Sequence, residues 1–200
     1  MSLSEIWAHK LALLINEYAQ KDDEYVQTLE YGLAMTFISI TKAIVLFILA
    51  YFLGLFKETI LFLICFVFMR KSVGGIHAQK SNNCTIATSI IIVGGAYVSI
   101  NIYLNKWIVG ILFLISLILI YLYAPADTKK NPITDEKCRK LLKKRSIIKT
   151  LVLVCIVFFI KENTYVNIIS LSTFVASVMI TPYIYIKFGK EYGNYEKIRK

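Results

Sequence analysis

The sequence predicts an all-α, polytopic membrane protein with six transmembrane helices and an amphipathic helix at its N-terminus. Hydrophobic residues make up 57% of the 200 residues, and the mean hydropathy is +0.62. Only three prolines occur, and the apolar runs are longer than a soluble core of this size needs. These observations favour a single membrane domain over a soluble fold.

The first 32 residues differ from the rest of the chain. They hold six of the thirteen acidic residues, and the acidic run at 22–24 is expected to break one helix from the next. Apolar residues recur at helical spacing at Leu3, Trp7, Leu11, Leu14 and Tyr18. We predict an amphipathic helix in the inner membrane interface, with docking onto the protein's own cytoplasmic loops as the alternative.

Six apolar runs follow and form the predicted transmembrane domain, residues 33–186. Their predicted bounds are Leu33–Phe56, Thr59–Met69, Cys84–Leu104, Trp107–Tyr123, Ile147–Ile160 and Tyr165–Ile186. The second and fifth runs are shorter than the roughly 20 residues of a spanning helix, so we expect them to extend into neighbouring turns or to tilt. Residues 187–200 form a basic tail.

The basic residues predict the orientation. Lys and Arg number three in 70–83, nine in 124–150 and five in 187–200, against one each at Lys57, Lys106 and Lys161. By the positive-inside rule, both termini and the loop at 70–84 are cytoplasmic. We interpret most of the net charge of +10 as topology setting and contact with membrane lipids, with attraction of an acidic substrate as the alternative and no nucleic-acid partner.

The loop R70-K-S-V-G-G-I-H-A-Q-K-S-N-N-C84 carries the candidate chemistry. His77 lies seven residues before Cys84, which begins the third predicted span. The free N–H groups and positive end of that helix favour a thiolate and can hold an oxyanion, and His77 is the natural proton acceptor. The spacing predicts a thiol peptidase, although a solvated histidine and a small helix-start residue would look the same.

The spacing also constrains the loop. One continuous helix from His77 to Cys84 would hold the two side chains about 10 Å apart along the axis, so the loop must fold back. Gly74 and Gly75 suit such a turn, or are simply flexible, and the capping residues Ser81, Asn82 and Asn83 precede Cys84. The loop has no carboxylate, so a third catalytic group stays open between Gln79, Asn82, Asn83 and the distant Asp127.

Several other residues allow two interpretations of their role. Arg70 sets topology or holds a carboxylate. Pro125 and Pro132 predict a fixed turn, in which Lys129 and Lys130 clamp an acidic peptide or merely flank a membrane span. The four cysteines form no C-x-x-C pair and only two histidines occur, so we expect no metal, no cofactor and no disulfide framework.

A family resemblance follows from these motifs. The pattern R-x4-G-x-H-x6-C at 70–84, the segment Y-A-P-A-x-T-K-K-x-P-I at 123–133, six spans and this length resemble the accessory gene regulator protein B (AgrB) family, over essentially the whole chain. The resemblance implies an integral membrane cysteine endopeptidase of Gram-positive bacteria that processes the quorum-sensing propeptide AgrD. By position, His77 and Cys84 match the catalytic pair, and Arg70 and Gly75 match supporting positions.

The resemblance also implies a mechanism and partners. Cys84 would cut near the propeptide's C-terminal region, and the acyl-enzyme would be released by ring closure to a thiolactone or lactone. An AgrD-like propeptide and membrane lipids are the expected partners, in a multi-pass protein of the bacterial cell membrane. The resemblance implies a homodimer, for which Gly94, Gly95 and Ser99 offer a close-packing surface, unless they pack within one subunit.

Two other function classes remain open from the sequence. One is a small membrane peptide transporter or exporter without proteolytic activity, in which Lys42 and Arg70 line a path. The other is a membrane scaffold whose basic face recruits acidic partners. Both would tolerate the change of Cys84 to alanine, whereas a thiol peptidase would not.

Overall fold

The described part of the chain is all-α, as predicted. This computed structural model describes residues 3–75, 81–127, 133, 135–188 and 192, with only the backbone described at 3–5, 35 and 81–85. The helices in these residues are α1 (Leu3–Ala19), α2 (Asp23–Phe52), α3 (Phe56–Val73), α4 (Ser81–Asn101), α5 (Lys106–Tyr123), α6 (Glu136–Phe159), α7 (Asn163–Val178) and α8 (Pro182–Lys187). Two compact units result, Met1–Phe52 and Leu53–Lys200.

The first unit is a hairpin of α1 and α2. The break between the two helices lies at residues 20–22, beside the acidic run as predicted, and Asp23 and Glu24 already form the first turn of α2. The Asp22 carboxylate accepts a hydrogen bond from the backbone N–H of Tyr25 at 3.1 Å. A 2.8 Å contact between His9 Nδ1 and Glu30 Oε2 links the two helices side by side. The predicted division at residues 32 and 33 falls inside α2, which runs on without a break.

The apolar series predicted for α1 lies on its outer side. Ala8 and Ala12 are fully buried, whereas Trp7 is 64% exposed and Tyr18 is 90% exposed. Since α1 packs on α2, small residues form the contacting face and the large apolar residues face outward. An outward apolar face suits a membrane interface. The location of α1 in that interface stays a prediction.

In the second unit, α7 lies at the centre. It packs against α3, α4, α5 and α6, and its buried face is rich in small hydroxyl residues. Their side chains donate to carbonyls of the preceding turn, as Ser170 does to Val166 (2.7 Å) and Thr173 to Ile169 (2.7 Å). Small residues whose polar groups are satisfied within their own helix let neighbouring helices approach closely, which is the usual basis of packing in membranes.

Asn167 joins α7 to the end of α4. Its buried amide donates to the backbone carbonyls of Ser99 (3.0 Å) and Ile102 (2.6 Å). The last carbonyls of a helix have no partner within that helix, so this side chain supplies the donors from a neighbour. Ser99 is fully buried, and a side chain at Gly95 would overlap the Phe62 ring, so these two residues pack within the subunit.

Two of the described helices, α2 and α5, are long and apolar enough to cross a membrane, and Ile86–Asn101 is a shorter apolar stretch. The two short predicted runs do extend into polar turns, since α3 covers Phe56–Val73 and α6 covers Glu136–Phe159. The arrangement of six transmembrane helices stays a prediction.

Two predicted helix ends are wrong. The helix that carries Cys84 begins at Ser81, so the three residues predicted to cap it are helical. The first N–H groups of any helix have no carbonyl partner within the helix, so serine and asparagine are tolerated in the first turn of α4. The last predicted span does not continue to Ile186, because α7 ends at Val178 and a new short helix begins at Pro182, whose ring disfavours helical backbone at Thr181.

Candidate functional site

The candidate site is built on the last turn of α3. The helix ends at Val73, and Gly74 follows with φ +75°, its N–H donating to the carbonyl of Arg70 at 3.0 Å. Gly75 also has a positive φ, +122°. Only glycine takes such backbone angles at little cost, so the two glycines turn the chain away from the helix axis. The positive φ angles expected of the two glycines are therefore observed, while the predicted return of the loop towards Cys84 lies outside the described residues.

This turn is hydrogen-bonded to the segment that follows α5. Gly74 and Ala126 form an isolated parallel β-bridge. The N–H of Ala126 donates to the carbonyl of Val73 (2.9 Å), and the N–H of Gly75 donates to the carbonyl of Ala126 (3.0 Å). The structure thus brings together the two motifs that the sequence singled out, at 70–75 and 123–127, although they are far apart in the chain.

Both glycines also lie too close to other groups to carry a side chain. A Cβ at Gly74 would overlap the carbonyl oxygen of Ala126, and a Cβ at Gly75 would overlap the guanidinium of Arg70. The Arg70 guanidinium lies 5.8 Å from the centroid of the Phe66 ring, within cation–π distance. The predicted supporting residues Arg70 and Gly75 are therefore in direct contact.

Asp127 is buried beside this bridge. It is 3% exposed, and its Oδ2 lies 3.8 Å from Nη1 of Arg139 on α6 and 3.5 Å from the backbone nitrogen of Ile133. Tyr185 of α8 lies within electrostatic range of both Asp127 and Arg70, and its ring stacks edge-on to Tyr192 at 5.1 Å. The segment after α5 and the helices α3, α6 and α8 thus meet near the end of the glycine turn.

A lysine of α6 secures the same end of α3. The ammonium group of Lys149 donates to the carbonyl of Phe68 at 2.6 Å and lies 4.5 Å from the centroid of the Phe68 ring. It thereby adds a donor to a carbonyl near the end of α3 and places a positive charge close to the negative end of that helix. The glycine turn therefore follows a helix end that is held from outside.

The structure leaves the predicted catalytic pair untested. His77, Lys129 and Lys130 lie outside the described residues, as does most of the basic tail. The backbone of Cys84 lies in the first turn of α4, and its side chain is not described. Within the described ranges, no group of three or more His, Cys, Asp or Glu side chains is placed to hold a metal ion.

Sequence reasoning missed several residues of this region. Arg139, Lys149 and Tyr185 were not singled out, because their positions depend on how α3, α6 and α8 pack. Asp127 carried one usable signal, since the strongly basic segment at 124–150 contains few acids, and it comes first among them. An acid surrounded by many basic residues is a candidate for a specific ion pair.

Comparison with known proteins decides the family. The family model for accessory gene regulator B matches residues 7–180. The chain belongs to the accessory gene regulator B (AgrB) family. An AgrB-like protein of Clostridium acetobutylicum is 33% identical over 199 residues, covering 100% of this chain and 95% of the relative. The resemblance stated from the motifs is therefore confirmed.

Further AgrB relatives cover nearly as much of the chain. An AgrB-like protein of Listeria monocytogenes serotype 4a is 32% identical over 187 residues, covering 92% of this chain and 91% of the relative. The accessory gene regulator protein B of Staphylococcus aureus strain Newman is 33% identical over 174 residues, covering 85% and 91%. No solved structure matches. AgrB membership connects this chain with the accessory gene regulator system of quorum sensing.

Proposed function

We propose that this protein is a membrane-embedded cysteine endopeptidase that cleaves an AgrD-type quorum-sensing propeptide and promotes closure of a thiolactone or lactone ring. His77 is the general base and Cys84 the nucleophile. Arg70 and Gly75 shape the turn that leads into the loop, and Lys129 and Lys130 bind the acidic tail of the propeptide. The site faces the cytoplasm of a multi-pass protein.

The reaction proceeds in two transfers. His77 takes the proton of the Cys84 thiol, and the thiolate attacks a peptide carbonyl near the propeptide's C-terminal region. The C–N bond breaks, the imidazolium returns the proton to the leaving amine, and a thioester remains on Cys84. A cysteine or serine side chain of the retained peptide then attacks the thioester, which closes the ring and restores the Cys84 thiol.

Family membership carries this proposal, and the described part of the site supports it. The motif at 70–75 and the segment at 123–127 are hydrogen-bonded to each other, so the loops that continue from them start side by side. The backbone of Cys84 in the first turn of α4 is near free N–H groups and the positive end of the helix dipole, which favour a thiolate and a developing oxyanion.

Replacement of the nucleophile tests the proposal. We expect Cys84→Ala to abolish cleavage of a co-expressed propeptide, by at least about a thousandfold, because no thioester can form. The matched control is Cys138→Ala, since Cys138 is an exposed free thiol beside basic residues. The readouts are the processed peptide and the covalent Cys84–peptide adduct, both by mass spectrometry.

The same experiment separates the other function classes. A peptide exporter or a scaffold tolerates Cys84→Ala and forms no covalent adduct. Full processing by the Cys84→Ala variant, or an adduct on Cys138 in place of Cys84, contradicts the endopeptidase proposal.

A further inference from the structure

Three basic side chains lie together where the end of α3 packs against α6. The Lys149 ammonium of α6 donates to the carbonyl of Phe68 at 2.6 Å, and Lys71 and Arg145 both lie within electrostatic range of it. Lys71 and Arg145 are exposed. Like charges repel one another, so this basic cluster of Lys71, Arg145 and Lys149 favours an anion between its members.

The basic cluster is not neutralised by the described residues. No carboxylate among them forms an ion pair with its members, since the ion pairs of α6 lie nearer its start, at Arg139 and Lys140. The segments 76–80 and 128–132 contain no acidic residue either. An ammonium has three N–H donors, and the contact with Phe68 uses one of those on Lys149. The cluster therefore offers both positive charge and hydrogen-bond donors to an external anion.

The direction of the helices places the cluster at one end of the α3–α6 pair. The two helices run in opposite directions, because the start of α6 lies beside the segment bridged to the glycine turn, whereas Lys149 further along α6 reaches back to Phe68. Lys71 follows Phe68 by about one turn of α3, and Arg145 precedes Lys149 by about one turn of α6. Both exposed cations thus lie on the side of the Phe68 contact that is predicted to be cytoplasmic.

An apolar groove continues from the cluster along the outer face of α6. Its volume is about 340 Å³, and it is lined by Ile148, Leu151, Val152, Cys155, Ile156 and Phe159. On α3, Ile64 and Phe68 share a face with Lys71 and are 58% and 38% exposed. The outer surface of this helix pair therefore has cations at one end and apolar side chains along the rest.

We propose that this surface binds one anionic phospholipid, whose phosphate accepts hydrogen bonds from Lys71, Arg145 and Lys149 and whose acyl chain lies in the α6 groove. Basic pockets between helices on the cytoplasmic side are typical sites for anionic lipid headgroups. An acidic peptide needs the cations but not the groove, so the continuity of the two favours a lipid. The inference rests on the proposed membrane location and involves neither His77 nor Cys84.

The bound lipid stabilises the end of α3. Its phosphate offsets the repulsion among the three cations and leaves Lys149 on the carbonyl of Phe68, in the helix that leads into the glycine turn. A ligand that binds only the folded protein raises its thermal stability. We therefore expect phosphatidylglycerol to raise the Tm of the purified protein more than phosphatidylcholine with the same acyl chains.

Native mass spectrometry of the full-length protein in detergent tests the site, with these two lipids as probes. We expect the wild type to bind phosphatidylglycerol about thirtyfold more tightly than phosphatidylcholine. Lys71→Gln with Arg145→Gln weakens phosphatidylglycerol binding about twenty-five-fold, because each basic residue near an anionic lipid contributes about fivefold. Phosphatidylcholine binding changes less than about threefold. Both residues are exposed, so the variant keeps its fold.

Lys137→Gln with Lys140→Gln is the matched control. Both lysines are exposed on the same helix, nearer its start, and the change removes the same net charge. Phosphatidylglycerol binding by this control stays within about threefold of wild type. Equal losses in the two double variants contradict the proposal, because they show an effect of net charge and not of a site.

Two further measurements identify the occupant. Phosphatidylglycerol with a photoreactive group in its acyl chain labels α6 between Leu151 and Phe159 in the wild type, and labels it less in Lys71→Gln with Arg145→Gln. Labelling that is equal in the two proteins overturns the proposal. So does displacement of the lipid by an excess of glycerol phosphate or of a soluble acidic peptide, since neither carries an acyl chain.

The proposed function is tested separately. Cys84→Ala leaves the basic cluster and the groove unchanged, so it binds phosphatidylglycerol as the wild type does. Cleavage by Cys84→Ala removes the proposed function and leaves this inference intact, whereas a wild type without preference for phosphatidylglycerol removes only this inference.

Discussion

At the residue scale, the glycine turn shows what the motif residues do. Gly75 was predicted as a supporting residue from its motif position, but the sequence does not reveal its neighbour. The structure shows the Arg70 guanidinium in the space that a side chain would occupy. Asp127 was only one of four candidates for a third group, because its burial depends on the packing of α6 and α8 around the bridge.

Gly75→Ala is expected to lower propeptide cleavage at least tenfold. Alanine at φ +122° is strained by roughly 1–2 kcal/mol, and its Cβ displaces the Arg70 guanidinium. The measurement is the rate of processing at equal protein levels. Gly94→Ala is the control, because a Cβ there meets nothing within 4 Å, and its activity stays within twofold of wild type.

At the element scale, the helices could be predicted and their ends could not. The apolar runs placed all six predicted spans on helices of the structure, including the second and fifth runs, which are shorter than a spanning helix. The ends depend on local chemistry, as at Pro182, or on partners from other helices, as where Asn167 holds the end of α4. The sequence does not show which carbonyls a single polar residue in an apolar run will contact.

Asn167→Ala is expected to destabilise the protein by about 2 kcal/mol, because one buried and one part-buried carbonyl lose their donor. The corresponding fall in Tm is about 4–8 °C for a chain of this size. Thermal unfolding of the purified protein in detergent measures it. Asn167→Asp keeps the shape but loses the donor, so it is at least as unstable, whereas the exposed Asn163→Ala stays within about 0.5 kcal/mol of wild type. An Asn167→Asp variant as stable as wild type would contradict the capping role.

At the scale of the whole molecule, charge and hydropathy describe the protein best. A net charge of +10 concentrated in three segments predicted the orientation, and the all-α class followed from the apolar content. Composition gave no information on the pairing of the 70–75 and 123–127 segments. That pairing depends on the mutual packing of α3, α5, α6 and α7.

Charge reversal of Lys129 and Lys130 is expected to weaken processing of an acidic-tailed propeptide, and more so at low salt. The Debye length shrinks from about 30 Å at 0.01 M to about 8 Å at 0.15 M, so attraction between exposed charges is screened. Processing rates at the two salt concentrations measure the effect. Lys140→Glu with Lys144→Glu makes the same change of net charge on α6. Equal losses in the two pairs, or equal losses at both salts, would exclude a local clamp.

The hydrogen bond from Gly75 to Ala126 also sets an order of events during synthesis. Its two partners are 51 positions apart, the difference between 126 and 75, so the first emerges from the ribosome well before the second. At 5–20 residues per second the delay is roughly 3–10 s. For most of that interval the nascent chain already contains Cys84 but has no partner for the glycine turn. The pairing of the glycine turn with the segment after α5 is thus completed only after α5 has been made.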